Sequence, residues 1–376
     1  MEAIALLVIV VFAVWMQEFL FNKFAFYNLH YECRFSTGEA FEGEEISFIE
    51  VAHNNKPMPL QWIKAEIRTS RWLSFADTRS FIAQEIRHVT SGYHLRIYQK
   101  TTRIWKVKCL KRGVFTIDNV ILVSSDFFGL STRSLPITVN SKLIIYPGLV
   151  DLEDVLLSTR NLQGDIIVKR WILDDPFVIA GAKEYTYNEP MNRIHWQATA
   201  KQNALMVRKN DFTSNQSIRI ILNIQTVEYY HPYTIDRELI EYGIKISATL
   251  MDRALKIGIP VGFASNGYIS QNQEDYVYTS AASGNLHTMQ LLTTLSELEF
   301  KINIGFDEFF RDTSPRIDES EIIIITPYLE DSLNEMFNSL KERGVSVKII
   351  LLNEVYKESN LNSEIPVYTI RAGGVK

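Results

Sequence analysis

The chain is short of cysteine, of net charge and of the motifs that announce a reaction. Two cysteines occur in 376 residues, Cys33 and Cys109. Neither belongs to a CxxC pair, which removes support for a disulfide scaffold, a zinc ribbon or a thiol redox site. Net charge is −5, from 39 basic and 44 acidic residues. Phosphate binding needs a basic face, so this balance argues against nucleic acid as the main partner. No GxxxxGK[ST], GxSxG or HExxH occurs, and no GxGxxG follows a strand. P-loop, serine-hydrolase, zincin and dinucleotide chemistry therefore lack their signatures. An unbroken apolar run of membrane length is missing too. The cleanest stretch, AIALLVIVVFAVWM from Ala3 to Met16, falls short of the ~20 residues that cross a ~30 Å hydrocarbon core.

What is present is folded protein, 46% hydrophobic and 12% aromatic, with length enough for two domains. Beyond Gln17 and Glu18 the apolar character resumes at Phe19, Leu20, Phe21 and Phe24. Residues 1–24 then reach far enough to form a transmembrane anchor, with Trp15 as an interfacial aromatic and the lipid bilayer contacted through residues 3–24. A cleaved signal peptide is the competing reading. It lacks a Lys or Arg before the run and a small-x-small site after it. Glu2 precedes the helix while Lys23 and Arg34 follow, so the positive-inside tendency makes this a single-pass cell-membrane protein with its soluble domains in the cytoplasm.

Residues 31–148 read as an antiparallel β-sandwich. EEISFIEVAH is strand-like and ends at the turn cluster Asn54–Pro57; QWIKAEI carries an irregularity that predicts a bulge. In IWKVKCL, Trp105, Val107 and Cys109 share one face and Lys106 and Lys108 the other. No catalytic cluster stands out there. Residues 217–376 change rhythm to alternating strands and helices, which predicts a doubly wound α/β domain. SIRIILNIQ, VGFAS, EIIIITP and VSVKIILLN are its strands. Thr234 is placed to cap a helix carrying Leu239, Gly243, Ile246, Leu250 and Ala254, and a second helix carries Met289, Leu292 and Leu295. His231, in the loop Tyr229–Tyr233, is a lone histidine without a visible partner.

Residues 149–216 connect the two domains and hold the densest set of groups that need partners: Glu184, Tyr185, Glu189, Arg193, His195, Trp196 and Lys201. One reading makes Glu184 or Glu189 a base and His195 an acid. The other ties Arg193 to a carboxylate and packs His195 and Trp196 into the join, making the segment a clasp.

That run resembles the signature of the bacterial "domain of unknown function 58" family, approximately REYxxGDxxRxIxWxxxAR. It stands here as Lys183-Glu184-Tyr185, Asn188-Glu189, Arg193-Ile194-His195-Trp196 and Ala200-Lys201. Asp126–Leu130 is similar to the family's DPFGL segment and Lys111–Val114 to its RRGVY turn, so the resemblance covers nearly the whole chain. It implies a membrane anchor, a β-sandwich and a von Willebrand factor A-like domain. It also implies association with MoxR-type AAA+ ATPases and other membrane proteins. Asn188-Glu189 departs from the usual Gly-Asp, and Lys183 and Lys201 replace arginine. The A-type metal site needs Asp-x-Ser-x-Ser after the first strand; Asn223, Gln225 and Val227 stand there instead. No metal and no cofactor is therefore expected. The expectation is a non-enzymatic adaptor docking the ATPase or its clients. The alternatives are an enzyme built on Glu184, Glu189 and His195, and an extracytoplasmic envelope-binding protein.

Overall fold

The computed structural model describes all residues except Met1, Asp77 and residues 153–155, 159–178, 186–195, 203, 211–216, 228–234, 270–274, 330–332, 354–364 and 371–376. It divides into two compact units, Met1–Gly148 and Leu149–Lys376. The first opens on helix α1 (Glu2–Phe24), whose span Ile4–Phe24 is long and apolar enough to cross a membrane. A helix so near the N-terminus suits a signal sequence equally.

Ten strands follow: β1 (Leu29–Phe35), β2 (Glu39–Phe41), β3 (Glu45–Asn54), β4 (Leu60–Ser70), β5 (Leu73–Phe75), β6 (Arg79–Ala83), β7 (Ile86–Leu95), β8 (Lys100–Cys109), β9 (Gly113–Ser125) and β10 (Thr132–Tyr146). They form two sheets, ordered β1-β3-β8-β5 and β2-β10-β9-β4-β7-β6, antiparallel except for β2 beside β10. Inward residues of both sheets, among them Phe48 and Val107 from one and Ile67, Val120 and Leu143 from the other, share one core. Each such side chain contributes about 1.5–3 kcal/mol by leaving water. The expected alternation in β8 holds, with Val107 and Cys109 buried between exposed lysines. The bulge in β4 falls between Leu60 and Ile63. Both cysteines are buried and free. Burial, reinforced by the nearby Glu50 carboxylate, pushes the Cys33 thiol up to about 12; burial pushes Cys109 up to about 11.

Glu50 lies on the inward face of β3 and is fully buried. Tyr31 Oη donates to Glu50 Oε1 at 2.6 Å, and Ser91 Oγ to Oε2 at 2.8 Å. Trp105 Nε1 donates to the same Oε2. Burial, then the Glu50 charge, raises the Tyr31 and Tyr93 hydroxyls well above the ordinary phenol value.

The second unit contains β11 (Leu156–Ser158), β12 (Ile179–Glu184), α2 (Trp196–Gln202), β13 (Met206–Asn210), β14 (Ile218–Leu222), α3 (Arg237–Lys256), β15 (Val261–Ser265), β16 (Gly267–Tyr268), β17 (Val277–Ala282), α4 (Asn285–Glu297), β18 (Glu299–Ile302), α5 (Phe306–Thr313), β19 (Glu321–Thr326), α6 (Leu333–Glu342), β20 (Ser346–Leu351) and β21 (Val367–Ile370). Its main sheet is ordered β11-β21-β20-β19-β14-β15-β17. The five central strands are parallel, and β11 and β17 are antiparallel edges. Counting from β14, this is the doubly wound order 3-2-1-4-5-6 with the third strand reversed. Helix α3 lies on one face, so close that a Cβ on Gly243 would come within 2.9 Å of Leu352 and 3.1 Å of Leu222. Helices α5 and α6 cover the other through Phe306, Phe309, Phe310, Phe337 and Leu340, packed on Ile221, Ile322 and Ile324.

Two expectations from periodicity are corrected. The cap of α3 is Asp236, whose Oδ1 accepts from Glu238 N and Leu239 N at 3.1 Å, so a carboxylate two residues later does what was assigned to Thr234. Met289 is 42% exposed on α4, where Leu291, Leu292 and Leu295 face the core.

Arg219 on β14 is a buried charge. It makes a bidentate pair with Glu319, with Nε donating at 2.9 Å and Nη2 to the second oxygen. Nη1 donates to Thr279 O at 3.0 Å, and the guanidinium lies 4.0 Å above the Tyr278 ring. Gly262 makes room: a Cβ there would meet Arg219 Nη2 at 3.0 Å.

Candidate functional site

In a doubly wound sheet the ligand crevice lies outside the carboxyl ends of the strands, where the order reverses. Here that point is between β14 and β19. Asn223 follows β14, Asn266 lies just past β15, and Thr326 ends β19; all three are fully buried. Asn223 Nδ2 donates to Thr326 Oγ1 at 3.1 Å, and Thr326 Oγ1 donates to Tyr328 O at 2.7 Å. Asn223 Oδ1 accepts twice, from Gln225 N at 2.9 Å and Asn266 Nδ2 at 3.2 Å. Asn266 Oδ1 accepts from Ile224 N at 2.9 Å. Gln225 is turned to its own surroundings, with Nε2 donating to Val227 O at 2.9 Å and Oε1 accepting from Phe306 N at 3.1 Å.

The chemistry of this donor set does not fit a divalent cation. A hard ion wants six or more oxygen ligands, carboxylates among them. Asn223 Oδ1 has both lone pairs engaged, Val227 offers only a carbonyl that already accepts, and among the described residues no carboxylate joins the group. Thr226 Oγ1 accepts from Asp236 N at 3.3 Å, at the start of α3. Among the described residues no cluster of three His, Cys, Asp or Glu could hold a metal. The arrangement knits three strands together with neutral amides and a hydroxyl. That knot was only half legible: its members come from segments 43 to 103 residues apart.

The described signature residues, Glu184, Tyr185, Trp196 and Lys201, lie elsewhere in this unit. Glu184 ends β12 and pairs across the hairpin with Met206 of β13, and Tyr185 N donates to Leu205 O at 2.8 Å. Thr199 on α2 ties that helix to the hairpin, its Oγ1 accepting from Met206 N at 3.0 Å. Lys201 is exposed in the last turn of α2. Trp196 opens α2 and is 69% exposed, so its indole is not the buried clasp expected of it. Glu189, Arg193 and His195 lie outside the described residues, as does His231.

No family model matches the chain. No curated protein matches it either. Solved structures do share likeness with part of it. The non-cellulosomal cohesin of the archaeon Archaeoglobus fulgidus is 13% identical, over 31% of this chain and 90% of that one, with a TM-score of 0.23. A type I cohesin from a Clostridium thermocellum cohesin–dockerin complex is 12% identical, over 31% and 98%, with a TM-score of 0.21. The CARDB domain of a Pyrococcus furiosus protein, solved with di-metal ions, is 4% identical over 30% and 93%, with a TM-score of 0.19. Likeness at this level carries no argument about function.

Proposed function

We propose that the chain is a membrane-anchored, non-enzymatic adaptor that holds a MoxR-type AAA+ ATPase or its client proteins at the cytoplasmic face of the cell membrane. The observation that carries this reading is the amide knot of Asn223, Asn266 and Thr326, which spends the polar groups of the ligand crevice on one another. A sheet closed in this way serves as a platform, and partners meet its surface. The strand order supports taking the second unit as a von Willebrand factor A-like domain. The resemblance of residues 183–201 to the domain of unknown function 58 signature supplies the ATPase and membrane-protein partners. Trp196 is the contact point we assign to that partner surface, because exposed tryptophan is the residue type most enriched among interface hot spots. Helix α1 is taken as the anchor.

Co-purification of the full chain from its own cells in a gentle detergent tests the reading. Recovery of an AAA+ ATPase is expected, with loss on Trp196→Ala. Recovery of neither an ATPase nor a membrane partner would sink it. Orientation needs an introduced thiol, because Cys33 and Cys109 are buried. A cysteine at exposed Thr37 should react with an impermeant reagent only after the membrane is opened.

A further inference from the structure

The end of the sandwich from which α1 emerges is built unlike its far end. The turns there are residues 25–28, leading into β1, then 55–59 between β3 and β4, 96–99 between β7 and β8, and 126–131 between β9 and β10. The ladders place them together, with Leu29 opposite Asn54, His53 opposite Lys100, Leu60 opposite Leu95 and Ser125 opposite Thr132. These turns expose Tyr27, Ile97, Tyr98, Phe127, Phe128 and Leu130, each between 53% and 68%. Phe127 and Phe128 form an edge-to-face pair at the tip of a turn and are 68% and 55% exposed. Their only acidic residue, Asp126, is buried, and its Oδ1 accepts from Ser131 N at 2.9 Å. Arg96 is exposed there, and Lys23 is exposed in the last turn of α1. The far end carries Glu39, Glu42, Glu44 and Glu45 beside Phe41, Ile82, Ile86 and Leu110, which are 39% to 52% exposed.

Helix α1 is fastened to this end along its side. Asn22 Oδ1 accepts from Ser131 Oγ and Arg133 Nε, each at 3.0 Å. Phe21 is buried, and a cleft of about 370 Å³ is lined by Ala13, Met16, Gln17 and Leu20 of the helix together with Pro59 and Phe127. The consequence is geometric. From Ile4 to Met16 the helix rises roughly 20 Å, which is too little for a ~30 Å hydrocarbon core. The missing ~10 Å must come from residues 17–24, and at that level the 126–131 turn stands beside the helix.

We infer that the apolar end of the sandwich is itself a membrane-docking surface, with Phe127, Phe128 and Leu130 inserted in the interfacial layer of the bilayer beside α1. Aromatic side chains favour that layer, and the exposed Lys23 and Arg96, with no exposed carboxylate among them, suit an anionic headgroup surface. The sandwich then sits on the membrane, not on a stalk above it. This rests on reading α1 as a membrane anchor, and its test must separate the two.

The full chain is reconstituted in vesicles of equal parts phosphatidylcholine and phosphatidylglycerol. An environment-sensitive fluorophore is placed on a single introduced cysteine at Val10 in the helix, Phe128 in the turn, or Thr37 at the far end. The buried native cysteines stay unlabelled. With a nitroxide quencher carried on the lipid, the Val10→Cys and Phe128→Cys labels should lose most of their emission and the Thr37→Cys label little. Quenching at Val10 with Phe128 as bright as Thr37 would overturn the docking surface and leave the anchor standing. No quenching at Val10 would remove the anchor and the docking surface together.

Discussion

Among the described residues each unit of this protein buries one glutamate, and the two are held in different ways. Glu50 in the sandwich is surrounded by neutral donors, Tyr31, Ser91 and Trp105. Glu319 in the α/β unit is held by a cation, the bidentate Arg219 guanidinium. A carboxylate in a cage of hydroxyls and an indole can lose one donor without stranding an opposite charge. An ion pair in a core is stable only as a pair; either half alone is an uncompensated buried charge. The sandwich core is therefore the more tolerant of single changes at its acid, and the α/β core the less.

Arg219→Met is the largest test. It leaves Glu319 buried without its partner and should cost about 3–5 kcal/mol, read as a fall in the unfolding transition of the second unit while the first stays put. The double change Arg219→Met with Glu319→Leu should recover most of that loss, since well-packed apolar groups replace such pairs at little cost. A double variant no better than the single one would mean that the loss comes from the Thr279 bond and the Tyr278 contact, not from the stranded charge. Glu50→Gln is the smaller test, with a loss of about 2 kcal/mol expected in the sandwich transition. It removes the charge that strengthens three hydrogen bonds and turns an amide N–H toward a donor. A loss as large as that of Arg219→Met would erase the contrast between the two cores.

Both glutamates show how far the sequence could be read. In β3 the inward positions are Ile46, Phe48, Glu50, Ala52 and Asn54. The alternation that located the strand also places a carboxylate on its core face, and this was legible. Arg219 was visible in the same sense, as a charge inside the apolar run IRIIL. Their partners were not. Tyr31, Ser91 and Trp105 come from three other strands, and Glu319 lies 100 residues from Arg219. Period-two patterns fix which face a residue takes; they do not fix which strand becomes its neighbour. The antiparallel character of the first unit and the alternating rhythm of the second followed from local pattern, and so did the bulge in β4. The knot at Asn223 depends on three strand ends meeting, and only the composition of Asn223, Gln225 and Val227 hinted at it. Trp196 misled because a tryptophan next to a charged cluster usually packs, whereas here it opens a short helix on the surface.

The contrast extends to buried cations, and there it reverses. Arg219 of the α/β unit is 2% exposed and paired with Glu319, whereas Lys56 of the sandwich is 3% exposed and its Nζ has no hydrogen-bond partner. Burial lowers the Lys56 ammonium from 10.5 to about 8. Between about pH 8 and 10.5 the unfolded chain therefore holds a proton that the folded chain has released. Through this group stability rises with pH across that window. The raised thiols of Cys33 and Cys109 act in the opposite sense above about pH 9, and the raised hydroxyls of Tyr31 and Tyr93 above about pH 10, where the unfolded chain loses protons that the folded one keeps. The clean reading is thus from pH 8 to 9. Lys56→Met should flatten the rise in that range and stabilise the sandwich modestly at neutral pH, because a desolvated charge without a partner is replaced by an apolar chain of similar length. Urea unfolding of the full chain in detergent, followed across that range, measures both. If the rise persists in Lys56→Met, another group carries it, and the sandwich core does not hold an unpaired cation at all.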